Sequence, residues 1–341
     1  MEHASEVAFP AADPRHVPAT GVGAVDIIIV NWNAGDQLVD CLRSIAVHGG
    51  PAVRSVVVVD NGSTDGSADV AVPGLALKII KTGQNLGFGR ACNLAARQCA
   101  APFLLFLNPD AELHAGAIDG ALAYATSRSQ HVGVVGIRLV GRDGIAHRHC
   151  ARFPDWHSFI GNSLGLTRIA RRWFPPVTMI EFDHLETRPI EHVMGAFYLI
   201  RRDVFERLDG FDEDFFVYLE DLDLSRRVAN AGWETHYLAD VTAYHKQGGT
   251  SEQVRAHRLF YALQSNIIYS FKHLPRAQAY LITGVTLLVE PVSRLGRAVL
   301  RGSVDEFRFT LQGFGMLYRA LPKVRSIVRN SLAQRSSERV R

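Results

Sequence analysis

The chain has 341 residues, 47% hydrophobic and 21% charged, with a net charge of +3. This length and apolar content support a sizeable core, either one large α/β domain with an added segment or two modest domains, and exclude wholesale disorder. The charge is unevenly spread: residues 291–341 carry 11 Lys+Arg against 3 Asp+Glu, so the body is mildly acidic and the tail basic enough to meet an anionic surface.

Residues 1–23 begin MEHASEVAFPAADPRHVPAT, with early acids, prolines and no apolar run. A disordered lead is expected there, with neither a signal peptide nor a membrane anchor. VDIIIVNWN (25–33) is an apolar run ending on polar residues, the pattern of a buried parallel strand. GDQLVDCLRSIAVHG follows at helical spacing, with Leu38, Leu42, Ile45 and Ala46 on one face and Gly49 closing it. RSVVVVDNGSTDGS (54–67) predicts a second strand breaking into a turn-rich loop. LALKIIKTGQNLGFGRACNLAARQC predicts a third strand, a glycine-rich turn and a helix, and PFLLFLN a fourth strand. A β-α-β-α-β-α-β order calls for a parallel sheet with right-handed crossovers. Ligands bind such sheets at the carboxyl ends of the strands. Four polar clusters fall at those ends: Asn31–Asn33, Asp60–Asp65, Asn85–Gly89 and Asn108–Asp110. The lone GFG is not a GxGxxG and no GxxxxGK[ST] occurs, which argues against dehydrogenases and ATPases.

Residues 141–192, with RDGIAHRHCARFPDW and TRIARRWFPP, are broken by Gly and Pro. They read as a packed loop with a short helix, in preference to a mobile flap or a membrane-touching segment. AFYLIRR then predicts a strand, and DVFERLDG a short helix capped by Asp203 and ended by Gly210. EDLDLSRRVANAG predicts a helix whose acidic first turn suits its N-terminus. ETHYLADVTAYHKQGG gives a strand, a break and His245, and HRLFYALQSNIIYSFKHL (257–274) an amphipathic helix. AYLITGVTLLV (279–289) is too short for the roughly 20 residues of a spanning helix. The basic tail interleaves Val299, Leu300, Phe307, Phe309, Leu311, Phe314, Met316, Leu317 and Tyr318. That mixture favours a membrane surface over nucleic acid, with a solvated cationic helix as the equal rival. Cys41, Cys92, Cys99 and Cys150 form no CxxC pair and read as reduced thiols in a cytoplasmic protein.

Two groups of residues point to chemistry. Asp212, Glu213, Asp214, Glu220, Asp221 and Asp223 place six carboxylates in twelve residues, interleaved with aromatic and aliphatic side chains. Buried carboxylates need compensation, and one whose pKa is raised by like charges and apolar walls can act as a general base. Helix capping is the plainer reading, but it needs one acid rather than three. His245 gains a role only in company: a hard divalent ion at Asp110 would leave positions for an imidazole and for diphosphate oxygens.

IIIVNWN, VVVVDNGSTDGS, NLGFGRACN, LLFLNPD, GAFYLIRRDVFERLDGFDEDFFVYLEDLDLSRRVANAGW and AYHKQGGTS occur in this order. Together they resemble glycosyltransferase family 2, and within it the bacterial rhamnosyltransferase-like members. The resemblance covers about residues 24–275. It implies a GT-A (Rossmann-like) α/β fold, with a mostly parallel sheet flanked by helices. Residues 24–135 would be the nucleotide-binding half, 136–275 the acceptor and catalytic half, and 276–341 a basic amphipathic helical extension. By the same resemblance, Asn31, Trp32 and Asn33 line the base pocket and Asp60 accepts a hydrogen bond from a pyrimidine N–H. Asn61, Gly62 and Ser63 shape the turn around it, and Asn85, Gly87, Phe88 and Asn108 lie close to the nucleotide. Asp110 matches the last carboxylate of the family's DxD motif, holding Mg²⁺ or Mn²⁺ with His245. Gly195, Ala196 and Asp212 border the sugars, and Asp221, beside Glu220, is the catalytic base. In NPD the first acid of that motif is an amide, so weak metal binding completed by the substrate's diphosphate is expected.

The implied reaction is inverting transfer of L-rhamnose from dTDP-L-rhamnose onto a polyprenyl-diphosphate-linked saccharide, with galactofuranose, GlcNAc and glucose donors left open. The implied place is the cytoplasmic face of the plasma membrane, peripherally bound, with no nucleic-acid partner. A nucleotidyltransferase would need a basic glycine-rich loop where NWNAGDQ stands. A non-catalytic nucleotide-sugar-binding scaffold would tolerate loss of Asp221.

Overall fold

The computed structural model describes residues 23–127, 131–246 and 254–338. The expected N-terminal lead, up to residue 22, and most of the loop after His245 lie outside the described residues. In chain order the elements are β1 (Val25–Asn31), α1 (Asp36–His48), β2 (Val53–Asp60), β3 (Leu77–Lys81), α2 (Phe88–Ala96), β4 (Phe103–Leu107), β5 (Ala111–Leu113), α3 (Ala117–Ser127) and β6 (Val132–Val140). Then come β7 (Cys150–Ala151), α4 (Trp156–Leu164), β8 (Arg188–Ile190), β9 (His192–Val193), β10 (Phe197–Arg201), α5 (Arg202–Arg207), α6 (Glu220–Asn230) and β11 (Glu234–His245). Four helices end the chain: α7 (Arg255–His273), α8 (Arg276–Gly284), α9 (Glu290–Leu300) and α10 (Val304–Glu338), with a π-helical turn, Val285–Val289, between α8 and α9.

The strands form a nine-stranded sheet in the order β3-β2-β1-β4-β10-β6-β11-β5, with β8 also on β11. β3, β2, β1 and β4 run parallel, as the buried apolar runs of β1, β2 and β4 suggest, with half-exposed β3 (LKIIK) at the edge. β10 enters antiparallel between β4 and β6, joining the two halves of the sheet. β6 and β11 are parallel, and β5 closes antiparallel on β11. Alternation along β1 divides the core: Ile27 and Ile29 pack with α1 and α3, whereas Ile28 and Val30 pack with α2 and α6. Asp26, fully buried in β1, is the exception to this apolar run. Burial alone would raise its pKa. Hydrogen bonds from Arg54, Ser55 and the backbone N–H groups of Ala100 and Ala101 instead hold it below the ordinary carboxylate range. A buried charge compensated in this way ties β1 to β2 and to the entry of β4.

Three local expectations are corrected. No helix connects β2 to β3; residues 61–76 are rich in Gly, Ser and Asp, whose side chains bond locally and favour turns. On α1 the buried face uses Cys41, while Ala46 is exposed. Arg201, not Asp203, occupies the N-cap position of α5; Asp203 lies inside the first turn and pairs with Arg207 at 3.6 Å. The packed-loop reading of 141–192 describes the segment, which contains the short helix α4.

The C-terminal helices build a core of their own. Leu259, Leu263, Ile267 and Phe271 of α7 pack with Ala279 of α8 and Phe314, Leu317 and Val324 of α10. Close approach of α10 to α7 depends on Gly313, where a Cβ would stand 3.1 Å from the Ala256 carbonyl and 3.0 Å from Leu259.

Candidate active site

A cleft of about 1060 Å³ opens at the carboxyl ends of β1, β2 and β4. Among the expected residues, Trp32, Asn61, Asn85, Gly87, Phe88, Asn108, Asp110, Ala196 and His245 line it. Asn31, Asn33 and Asp60 do not line it but support these from behind. Asn31 is fully buried, and its amide donates to Ser67 Oγ at 2.9 Å, Ser63 Oγ at 3.1 Å and Asp60 Oδ1 at 3.4 Å. Asp60, 8% exposed, also accepts from the Ser63 backbone N–H, so the DNGS turn folds back on its own strand end. Asn33 accepts from Thr64 N. Asn61 donates to Asn85 Oδ1 at 3.1 Å and accepts from Leu86 N at 2.8 Å, clamping the loop after β3.

Two of the glycines are held close against protein backbone. Gly62 (φ +78°) passes so close to the backbone of Gln84 and Asn85 that a Cβ would stand 2.7–2.8 Å from it. A Cβ on Gly87 (φ +88°) would stand 2.5 Å from the Phe216 carbonyl, which accepts the Phe88 N–H. Both glycines therefore admit protein backbone, and through it they set the cleft wall.

Asp110 and His245 are 135 positions apart in sequence and meet because β5 and β11 pair, with His245 opposite Ala111. His245 Nε2 lies 3.2 Å from Asp110 Oδ1, with the side chains 13% and 12% exposed. One carboxylate and one imidazole turned toward a shared cleft suit a borderline or hard divalent ion. No set of three or more His, Cys, Asp or Glu side chains gathers as a metal cage among the described residues. Such an ion would therefore take its remaining ligands from a substrate and from water.

Asp221 does not itself line the cleft but is tied to its wall. Its Oδ2 accepts the Gly195 N–H at 2.8 Å, between Met194 and Ala196, which both line the cleft, and its Oδ1 accepts the Leu222 N–H at 2.8 Å. Behind it lies His192, 3.7 Å from Asp221 Oδ2, with its Nδ1 on Ser225 Oγ at 2.9 Å; Ser225 in turn meets the Tyr198 hydroxyl at 3.1 Å. Full burial holds the His192 pKa below the ordinary imidazole value despite the carboxylate. Tyr218 and Leu219, just before α6, both have positive φ (70° and 67°). Non-glycine residues pay about 1–2 kcal/mol each for that conformation, and here it turns Tyr218 into the cleft as α6 begins.

The remaining acids of the cluster have other duties. Glu220 is buried beneath α2, and burial, with Asp221 and Asp223 nearby, pushes its pKa well up. Burial would also raise Asp223, but His273 at 2.7 Å and Arg227 at 2.8 Å hold it below the ordinary range. Asp212, expected at a sugar, does not line the cleft: it pairs with Lys272 of α7 at 2.5 Å, which also takes Asp214 at 2.7 Å.

Several cleft residues were not singled out from sequence: Arg148, Tyr218, His257, Arg258 and Tyr261. A signal for three of them exists. α7 has no acid in its first turn and carries Arg255, His257 and Arg258 there, cations set against the helix dipole. Tyr261, one turn on, stacks on Phe216 at 4.4 Å.

The family model described as Glycosyl transferase family 2 matches residues 26–209, more than half of the chain. Among curated proteins, the N-acetylglucosaminyl-diphospho-decaprenol L-rhamnosyltransferase of Mycobacterium tuberculosis is 29% identical over 265 residues, spanning 72% of this chain and 84% of that protein. Rhamnosyltransferase WbbL of Escherichia coli is 27% identical over 169 residues, 47% of this chain and 60% of WbbL. Among solved structures, S. aureus TarS 1–349 in complex with UDP-GlcNAc aligns with a TM-score of 0.51 at 18% identity, over 90% of this chain and 88% of TarS 1–349, a likeness of fold.

Proposed function

Because the chain belongs to glycosyl transferase family 2 and has a GT-A fold, we propose that this glycosyltransferase moves L-rhamnose from dTDP-L-rhamnose, with inversion, onto a polyprenyl-diphosphate-linked saccharide. The observation that carries this reading is the shared cleft. The Asp110–His245 pair opens on it, and Asp221 is tied to its wall through Gly195. Two relatives named as rhamnosyltransferases, one of them acting on a diphospho-decaprenol sugar, support the donor and the acceptor class.

In this mechanism Asp221 takes the proton of the acceptor hydroxyl. That oxygen then bonds to the anomeric carbon from the face opposite the diphosphate, the carbon–oxygen bond to the leaving phosphate breaks, and the nucleoside diphosphate departs. The backbone N–H groups of Gly195 and Leu222 fix Asp221 in one orientation, and buried His192 keeps water from its rear face. Asp110 and His245 would hold Mg²⁺ or Mn²⁺, which would act as a Lewis acid toward charge developing on the diphosphate. Arg148 and Arg258, also on the cleft, add positive charge.

No helix among the described residues is long and apolar enough to cross a membrane. Tyr280, Leu281, Leu288, Val292, Val299 and Leu300 are exposed on the C-terminal helices beside Arg276, Arg294 and Arg301. That mixture supports a peripheral seat on an anionic membrane surface, on the cytoplasmic side where nucleotide sugars are.

The test is a screen of nucleotide sugars with a prenyl-linked acceptor, with divalent metal and with chelator, reading release of nucleoside diphosphate. Release from dTDP-rhamnose that the chelator abolishes is expected. No release from any donor would favour the scaffold reading.

A further inference from the structure

A second concavity, of about 1000 Å³, lies between the first turn of α7 and one face of α10. It shares Val254 and His257 with the catalytic cleft, so the two adjoin. Its walls divide by chemistry. Arg255, Arg308 and Arg319 supply cations, against one acid, Asp305. Phe309, Leu311 and Met316 supply apolar surface between Arg308 and Arg319 along α10. None of the three arginines makes an ion pair among the described residues, although Asp305 shares the groove. Arg255 and His257 also lie in a helix first turn that lacks any acid. Positive charge gathered against a helix dipole is unfavourable until an anion joins it. A Cβ on Gly315, which lies on the groove, would meet nothing within 4 Å.

We propose that this groove holds the lipid carrier of the acceptor, an isoprenoid diphosphate. Arg255, Arg308 and Arg319 bind the diphosphate, and Phe309, Leu311 and Met316 bind the first isoprene units. The inference rests on the transferase reading above for the acceptor's chemistry; the groove itself stands on its own geometry. With the groove bordering the cleft at Val254 and His257, a saccharide on the diphosphate would reach over these residues toward Asp221 while its tail remains along α10. A bulk anionic lipid would satisfy the charges but has no reason to need a groove bordering the catalytic cleft.

Gly315→Leu puts a side chain into the groove from a Cβ position that meets nothing within 4 Å, and Arg308→Ala with Arg319→Ala removes two of its three arginines. Both variants are expected to raise KM for a detergent-solubilised polyprenyl-diphosphate saccharide at least tenfold. KM for dTDP-rhamnose, and for the same saccharide on a short alkyl chain without diphosphate, should stay unchanged. An unchanged KM for the prenyl acceptor overturns the proposal, as does an equal loss on both acceptors. So does weaker binding to phosphatidylglycerol vesicles with normal use of the solubilised acceptor, which would make the groove a membrane contact. A binding arm needs no turnover and separates failure of the groove from failure of the transferase reading. Geranylgeranyl diphosphate should bind the Gly315→Leu protein at least tenfold more weakly than wild type, while inorganic diphosphate should not distinguish the two. Equal binding of geranylgeranyl diphosphate to both proteins overturns the proposal even if no donor is ever turned over.

Discussion

At the scale of single residues, the site separates groups that meet substrate from groups that aim them. Asp221→Asn keeps the shape and one of the two backbone hydrogen bonds, since the amide nitrogen cannot accept, and it loses the proton acceptor. Transfer should fall by about 10²–10⁴, the usual share of general base catalysis, while dTDP binding measured by calorimetry stays near wild type. Activity within a few-fold of wild type would remove Asp221 from the base role. Asp110→Ala and His245→Ala should each shift the metal titration of nucleoside diphosphate release to higher concentration. Neither is expected to change the far-ultraviolet circular dichroism, because β5, which follows Asp110, and β11, which carries His245, are paired by backbone hydrogen bonds. Asp110 could be read from sequence because a polar residue at the end of an apolar strand faces a cleft in any parallel sheet. Arg148 could not, because nothing in a Gly- and Pro-broken segment tells which of its several basic side chains folds inward.

At the scale of elements, the turns do as much as the strands. Gly62→Ala would put a methyl group against the backbone of Gln84 and Asn85 at a φ that L residues rarely adopt. The expected cost is about 1–3 kcal/mol, read as a lower urea midpoint, with weaker nucleotide binding as the Asn61–Asn85 clamp opens. The first half of the chain was legible because each strand is a compact apolar run bounded by turn residues. DNGSTDGS announced its turn, although not that the whole connection to β3 would lack a helix. β10 was legible as a strand but not in its direction, which depends on where the chain returns from and not on any local pattern. The acidic segment was legible as important, yet its spacing could not say that Asp212 and Asp214 pay for Lys272, or that Asp223 answers His273 and Arg227. Lys272 and His273 sit on α7, 50 to 60 residues away, whereas Arg227 lies one turn along α6 from Asp223.

For the whole molecule, acid is the condition to which the fold should be most sensitive. Burial holds His149 down to about 4 and also depresses His147, His184 and His192. An unfolded chain accepts protons on these groups below about pH 6.5, and the folded protein refuses them. Their contribution therefore favours folding at neutral pH and is lost as pH falls from about 6.5 toward about 4. Between pH 7 and pH 5, His149 alone should cost about 2 kcal/mol of stability. Urea unfolding at the two pH values should show that loss in the wild type and a smaller one in His149→Gln.

The place of β10 also bears on how the protein comes into being. β6 has no strand beside it until residues 197–201 arrive, and β4 shows one open side for the same interval. A growing polypeptide thus leaves the ribosome with one edge of FLLFL and both edges of VGVVGIRLV open for some sixty residues of synthesis after β6, each a sticky margin of the kind that recruits another copy. Truncated products ending between residues 141 and 196 should accumulate in inclusion bodies, and those ending beyond 246 should be the first to stay dispersed.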